Sequence, residues 1–339
     1  MSKTNTSCRT IKLPCNKVGY SHQSTFVPVL FGGKKFSADT AYIWTDGTNI
    51  YYSYEKEQYV LNKETYTWEE KTWSGLTSFE GNNVWTDGTS IYYTQSYDHY
   101  ILNGDTWETF SFSASGTARM GCDIWTDGTN VYWSEFMAPP VHCVLNKETN
   151  AWDTKTFSGW GEDENFSASN IWTDGTDIYY SLGSIQRVLN KSTSTWTTKA
   201  WQGLSSFSGQ HVWSDGVNIY CSLGGMHYIL NDDTWEKISF NGVTSFYGYH
   251  VWSDGENIYA SINGMHYILL PTTAKIYSRT SSGWTELGTS FNASSSIEIG
   301  TEVQMTALLE TAEVGSIYKY TGTTGIYENG ALYIVEAVS

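Results

Sequence analysis

Proline is scarce in this chain, 5 in 339 residues, and long apolar runs are missing altogether. No stretch reaches the roughly 18 apolar residues of a spanning helix, and MSKTNTSCRTIKLPCNK at the start holds no run of about 7 to 15 as a secretory leader requires. The expectation is a protein made in a cytoplasm, with no signal peptide and no membrane insertion. Cys8, Cys15, Cys122, Cys143 and Cys221 are odd in number, widely spaced and never in a CxxC. They indicate neither a disulfide framework nor a zinc site, and read as small buried apolar residues. Positive charge is short too: 19 Lys and Arg stand against 35 Asp and Glu. That balance argues against nucleic acid and anionic lipid, which are held through Lys/Arg clusters. Lys3, Arg9, Lys12, Lys17, Lys34 and Lys35 precede or flank a single acid, Asp39, so a basic arm leads into an acidic body. What is plentiful is aromatic: 16 Trp, 25 Tyr and 13 Phe, a composition that excludes disorder and collagen.

Internal repetition decides the architecture. A WxDG anchor returns at Trp44, Trp85, Trp125, Trp172, Trp213 and Trp252, at spacings of 41, 40, 47, 41 and 39 residues. Around it the same phrase is rewritten, NVWTDGTSIYYT, NIWTDGTDIYYS or HVWSDGVNIYCS. A second phrase follows, such as YVLNKETYTWEEKTW or YILNDDTWEKISF. An apolar residue and Trp end one strand, Asp and Gly make a turn in which Gly supplies positive φ and Asp bonds the backbone, and IYY opens the next strand. YILN is a third strand. NKET or NDDT is a second turn, and the segments opening at Trp68, Trp107, Trp152, Trp196 and Trp235 are the fourth. Four strands in about 40 residues make a propeller blade, and the lack of helical periodicity rules out a helical solenoid.

The two phrases resemble kelch repeats over residues 25–270. The resemblance is carried by Tyr51, Tyr92, Tyr132, Tyr179, Tyr220 and Tyr259 in the second strand, Asn62, Asn103, Asn146, Asn190 and Asn231 after the third, and the fourth-strand tryptophans. The family's double glycine survives only as Gly224 and Gly225, so the likeness is to a divergent member. The WTD triplet also resembles YWTD propellers, whose surrounding residues differ from these. The reading is therefore an all-β, six-bladed, kelch-like propeller closed by an N-terminal strand. TFVPVLFGGKKF, residues 25–36, aligns with the fourth-strand phrase at 234–245: Thr25 on Thr234, Phe26 on Trp235, Phe31 on Phe240, Gly33 on Gly242. It is expected to supply the outer strand of the blade whose other three lie in 247–270, removing open edges.

Residues 1–24 are a basic arm outside the ring, and 271–339 a small C-terminal β-rich attachment domain. In the latter KIYSRTSSGWTELG reads as a hairpin, and GIYENGALYIVEA as another with Asn329 and Gly330 in its turn. The ending VGSIYKYTGTTGIYENGALYIVEA resembles the β-rich tails of bacteriophage structural proteins.

Chemistry is sparse. Asp46, Asp87, Asp127, Asp174, Asp215 and Asp254 would form a ring by repetition, open to a cation. The simpler account is that each shapes its own turn. His99, His142, His227 and His266 share a repeat position with Gln58 and Gln186, an exchange that hydrogen bonding explains and zinc ligation does not. No metal and no cofactor is expected. GxSxG, HExxH, a phosphate loop and a dinucleotide fingerprint are all missing, and Glu135, Glu162, Asp163 and Glu164 are the carboxylates open to glycoside hydrolysis. The loops joining second to third and fourth to first strands share a face. There Tyr54, Tyr97, Phe136, Met137 and Trp160 put apolar area beside Glu162 and Asp163, suited to a sugar ring or a protein patch, unless the loops vary merely because nothing holds them.

The expected function is that of a non-enzymatic virion protein of a phage, in the tail or an adsorption appendage. It would bind a host-surface glycan or protein receptor, or neighbouring virion subunits, and attach through 1–24 and 271–339. The alternative is a bacterial lectin or glycan hydrolase on the same scaffold, followed by a cytoplasmic kelch adaptor.

Overall fold

The computed structural model describes residues 25–33 and, between 42 and 270, all but 64, 66, 97, 113–118, 121–122, 136–139, 162–163, 241, 244, 256 and 263–264. Beyond them it describes the strands Ile276–Thr280, Gly283–Gly288, Ile297–Gly300 and Ile317–Tyr320. Five antiparallel four-stranded meanders succeed one another as blades, followed by a sixth blade of three consecutive strands completed from elsewhere in the chain, and the fourth blade illustrates the five. Its strands are Ile171–Thr173, Ile178–Leu182, Ile185–Asn190 and Thr195–Thr198, paired in chain order. The first is buried throughout, whereas the last ends in two exposed threonines, so first strands surround the axis and fourth strands form the rim. The Asp-Gly turn between first and second strands places Gly at φ of 88 to 96° in every blade, a conformation that costs glycine nothing.

One aromatic unit recurs at each blade. The first-strand Trp stacks on the second-strand Tyr seven residues later, at centroid distances of 4.3 to 4.5 Å. Its buried Nε1–H donates to the hydroxyl nine residues on, from Trp44 to Ser53 through Trp252 to Ser261, at 2.7 to 2.9 Å. This pair then packs against the fourth-strand Trp of the next blade: Trp44 on Trp107, Trp85 on Trp152, Trp125 on Trp196, Trp172 on Trp235. The core is consequently distributed over the seams between blades.

Closure follows the same rule. Thr25–Leu30 pairs antiparallel with Met265–Leu270 as the outer strand of the sixth blade, as the alignment of 25–36 with 234–245 requires. Phe26 fills the fourth-strand tryptophan position, fully buried against Phe240 and Phe246. The connections that follow the fourth strands agree: a Cβ on Gly75, Gly159, Gly203 or Gly242 would stand 1.9 to 2.0 Å from the carbonyl oxygen of Trp107, Trp196, Trp235 or Phe26. Only glycine lets each connection lie that close to the next outer strand. At the last seam Phe31 and Trp68 meet Trp252, at 5.8 and 6.2 Å, so the ring is continuous.

The C-terminal strands extend this sheet. Ile297–Gly300 runs parallel to the outer strand, with Val29 opposite Ile297, and the KIYSRTSSGWTELG hairpin forms as Ile276–Thr280 with Gly283–Gly288. The arm 1–24 and the hairpin at Asn329 and Gly330 lie outside the described residues.

If Phe26 is the plug of the closing seam, Phe26→Ala should lower unfolding free energy by about 3–5 kcal/mol, the usual range for emptying a buried aromatic site. Urea denaturation measures it. A loss below about 1 kcal/mol would show that the strand contributes little to closure.

Candidate functional site

The repeated polar residues are held by structural bonds. In each turn the Asp Oδ1 accepts the backbone N–H three residues on, at 2.7 to 2.8 Å, and Oδ2 accepts the hydroxyl of the stacked Tyr, at 2.8 to 3.4 Å. Burial works against the Asp46 and Asp127 carboxylates, but the hydrogen bonds they accept outweigh it and hold both below the ordinary carboxylate value. Burial, then the partner Asp, pushes the Tyr179 and Tyr220 hydroxyls up. Each Asp ties its turn to the aromatic unit, and among the described residues no group of three or more His, Cys, Asp or Glu is arranged to hold a metal ion.

The His/Gln position works similarly. Nδ1 of His142, His227 and His266 lies 2.6 to 3.0 Å from the serine hydroxyl that accepts the Trp Nε1–H. With that hydroxyl donating onward, a relay runs from Trp through Ser to His, with the proton on Nε2. Gln58 and Gln186 instead donate from Nε2 to carbonyls of the second-to-third-strand turn and of the next connection, Glu55 and Phe79 or Gly183 and Phe207. His142 and Gln186 are both buried, each at 5% exposure.

The second-to-third-strand turns and the fourth-to-first connections meet on one face. Phe79 N–H to Glu55 O, and Phe207 N–H to Gly183 O, lock the two loop types together there. Among the described residues four whole 3-10 turns lead into first strands, Gly81–Asn83, Ala168–Asn170, Gly209–His211 and Gly248–His250. A Cβ on Gly81, Gly209 or Gly248 would stand 1.9 to 2.3 Å from the carbonyl of Tyr42, Asn170 or His211, so each turn is seated on the preceding blade. The residue just before the inner strand is thus Tyr42, Asn83, Asp123, Asn170, His211 and His250 in successive blades. These six surround one end of the axis. Asp123 stands apart: burial first, and then the charge of Glu135, raise its carboxyl to about 6.

Beside this ring, in blades five and six, lies an aromatic cluster. Tyr247 and Tyr249 are parallel within 4° at 5.4 Å, and His211 is 5.3 and 5.6 Å from them. His250 meets Tyr249 edge-on at 4.4 Å. Tyr247 is held on a two-residue strand, Phe246–Tyr247, paired with Leu223 and Gly224, yet is 41% exposed. Met226 and Met265 are exposed on the same face.

The loop residues singled out from sequence fare unevenly. Tyr54 is half-buried and packs on Tyr42 at 4.5 Å. Trp160 is no open platform: it packs in the seam against Tyr180 and Phe166 at 4.7 and 5.0 Å. Its Nε1–H donates to Glu164 O, and the Arg187 guanidinium lies 5.1 Å over its ring. Arg187 also bonds both Glu164 carboxylate oxygens, which ties Glu164 to the third strand of its blade and occupies that carboxylate. Tyr97, Phe136, Met137, Glu162 and Asp163 lie outside the described residues. The axial ring and Tyr247 with Tyr249 were missed. In the repeats the residue before [VI]W is Tyr, Asn, Asp, Asn, His and His in turn, whereas the [VI]W that follows it is constant.

No family model matches this chain, and no curated protein matches it. Solved structures do. One is described as the extracellular domain of a one-component system of B. thetaiotaomicron, at 12% identity and TM-score 0.44, covering 69% of this chain and 33% of that one. Another is the extracellular domain of a hybrid two-component system of the same organism, at 12% identity and TM-score 0.42, covering 70% and 33%. A second such hybrid-system domain gives 16% and 0.40, covering 68% and 34%. The chain spans about a third of each of these structures.

Burial lowers His142 and His266 to about 4, so the folded state keeps them neutral where an unfolded chain, near 6.5, takes up protons. Their contribution is complete above pH 6.5 and is lost as pH falls towards 4. Asp123, raised when folded, has the opposite sign over the same window. His142→Gln, the residue two blades already carry, should therefore melt closer to wild type at pH 4.5 than at pH 7.5, or above it. An unchanged difference between the two pH values would contradict a neutral buried His142.

Proposed function

We propose that this chain is a binding module rather than an enzyme, working through the face that carries the axial ring and the second-to-third-strand turns. The supporting observation is the division of labour among polar residues. The Asp, Tyr, Trp and Ser or Thr of the repeat are engaged in turns and seams, whereas the position just before the inner strand carries Tyr, Asn, Asp or His on one face. A fold needs the same group at equivalent positions; it does not need Tyr, Asn, Asp and His there by turns. The kelch-like reading belongs to this proposal. It rests on the IYYS and LN-turn-Trp phrases, with Gly224 and Gly225 in the position of the family's double glycine.

The setting we infer is a phage virion, in the tail or an adsorption appendage, with 1–24 and 271–339 as attachment segments and a host-surface receptor on the loop face. Support comes from the phage-like pattern of VGSIYKYTGTTGIYENGALYIVEA and from the C-terminal strands extending the sixth blade. Quantitative mass spectrometry of purified particles tests it. The protein should be present at a fixed multiple of three, six or twelve copies, and removal of 1–24 or 271–339 should abolish incorporation. Absence from particles would end the virion reading.

One observation favours a hydrolytic alternative, the raised Asp123 carboxyl beside Glu135, since a protonated acid near a second carboxylate is what glycoside cleavage uses. That reading requires glycosidase activity lost by about a hundredfold or more in Asp123→Asn or Glu135→Gln. A binding module shows no turnover to lose.

A further inference from the structure

We infer that the axial mouth is a carbohydrate site, with Tyr247 and Tyr249 as its stacking platform and the ring of Asn83, Asp123 and Asn170 as its hydroxyl acceptors. The inference rests on the binding reading of this face and names the class of ligand that face takes.

Three observations converge on it. The platform is built rather than incidental: Tyr247 sits on a paired strand and lies across Gly224, where a Cβ would be 3.5 Å from its hydroxyl oxygen. It runs parallel to Tyr249, has His211 at 5.3 Å and His250 edge-on at 6.2 Å, and keeps 41% of its surface in water. A rigid, half-exposed aromatic face is complementary to the C–H face of a pyranose ring.

The second observation is the acceptor set. Asn83 and Asn170 are 2% and 5% exposed, and the Oδ1 of each is buried without a hydrogen-bond donor among the described residues. An unsatisfied buried acceptor is unfavourable, and a ligand hydroxyl would supply the missing donor. A sugar offers several hydroxyls on one small frame.

The third is charge. No Lys or Arg occupies any of the six ring positions, and the carboxyl at Asp123 has Glu135 beside it inside a chain of formal charge −16. An anionic saccharide, a phosphate or a nucleic acid meets repulsion here. A neutral sugar does not.

Titration calorimetry of the full chain against maltotetraose, cellotetraose, chitotetraose and mannotetraose, with tetragalacturonate as the charged comparison, tests the assignment. One or more neutral tetrasaccharides should bind saturably, and tetragalacturonate should not. Tyr247→Ala should weaken binding by about tenfold or more, as loss of a central aromatic anchor does, while Tyr247→Phe retains it. Val217→Ala, exposed in the turn between the first two strands of blade five, should leave binding unchanged. The proposal is overturned if no neutral tetrasaccharide binds, or if Tyr247→Ala binds as wild type with an unaltered melting temperature. Particle adsorption separates the two levels. Virions carrying Tyr247→Ala that fail to adsorb, with no sugar bound by the wild type, would keep the receptor reading and turn the ligand into a protein. Sugar binding lost in Tyr247→Ala, with the protein missing from particles, would keep the sugar site and remove the virion.

Discussion

The structure depends on one arrangement made six times: an indole stacked on a phenol, each with its polar atom tied off inside the same blade. A buried Nε1–H without an acceptor, or a buried phenol without a partner, would be unfavourable by an amount comparable to a lost hydrogen bond. Ser or Thr supplies the first acceptor and the turn Asp the second. Because that Asp also binds the turn's backbone amides, hairpin and seam form or fail together. The aromatic surface so neutralised then becomes the packing face for the next blade's outer strand.

This is why so much of the fold could be read directly. Trp, Asp, Tyr and Ser at positions 172, 174, 179 and 181 recur at those offsets because all four are bonded to one another or to the turn between them. The same logic made Phe26 recognisable as a displaced fourth-strand residue. The site was less legible for a physical reason. Exposed aromatics in variable loops look alike in sequence whether they face solvent or a seam, and Trp160 is drawn inward by Glu164 and Arg187, the latter distant in sequence and brought close by folding. Tyr247 gives the converse case, since its neighbours Ser245 and Phe246 read as an ordinary connection until the pairing with Gly224 turns the next ring outward.

The two ends of the propeller differ in character as a result. At the Asp-Gly end every blade offers the same closed turn, with its carboxylate already engaged. At the other end the connections are tied by backbone bonds such as Phe207 to Gly183, which leaves the side chains free to differ without loosening the scaffold. Rigid loops with dissimilar side chains are well suited to recognition, since little order has to be imposed when a partner arrives.

The closing seam has a consequence for how the molecule comes into being. The strand opening at Thr25 pairs with one ending at Leu270, so its partner does not exist until the ribosome has made all five blades between them. At roughly 5–20 residues per second, the Phe26 strand waits on the order of 12 to 50 seconds with its edge and its aromatic ring uncovered. During that interval the first four seams can assemble in order, each blade templating the next, while the ring stays open as an arc. Contact order is accordingly concentrated in a single join, and a circular permutant whose termini fall at any other seam would move the delay without changing the final circle.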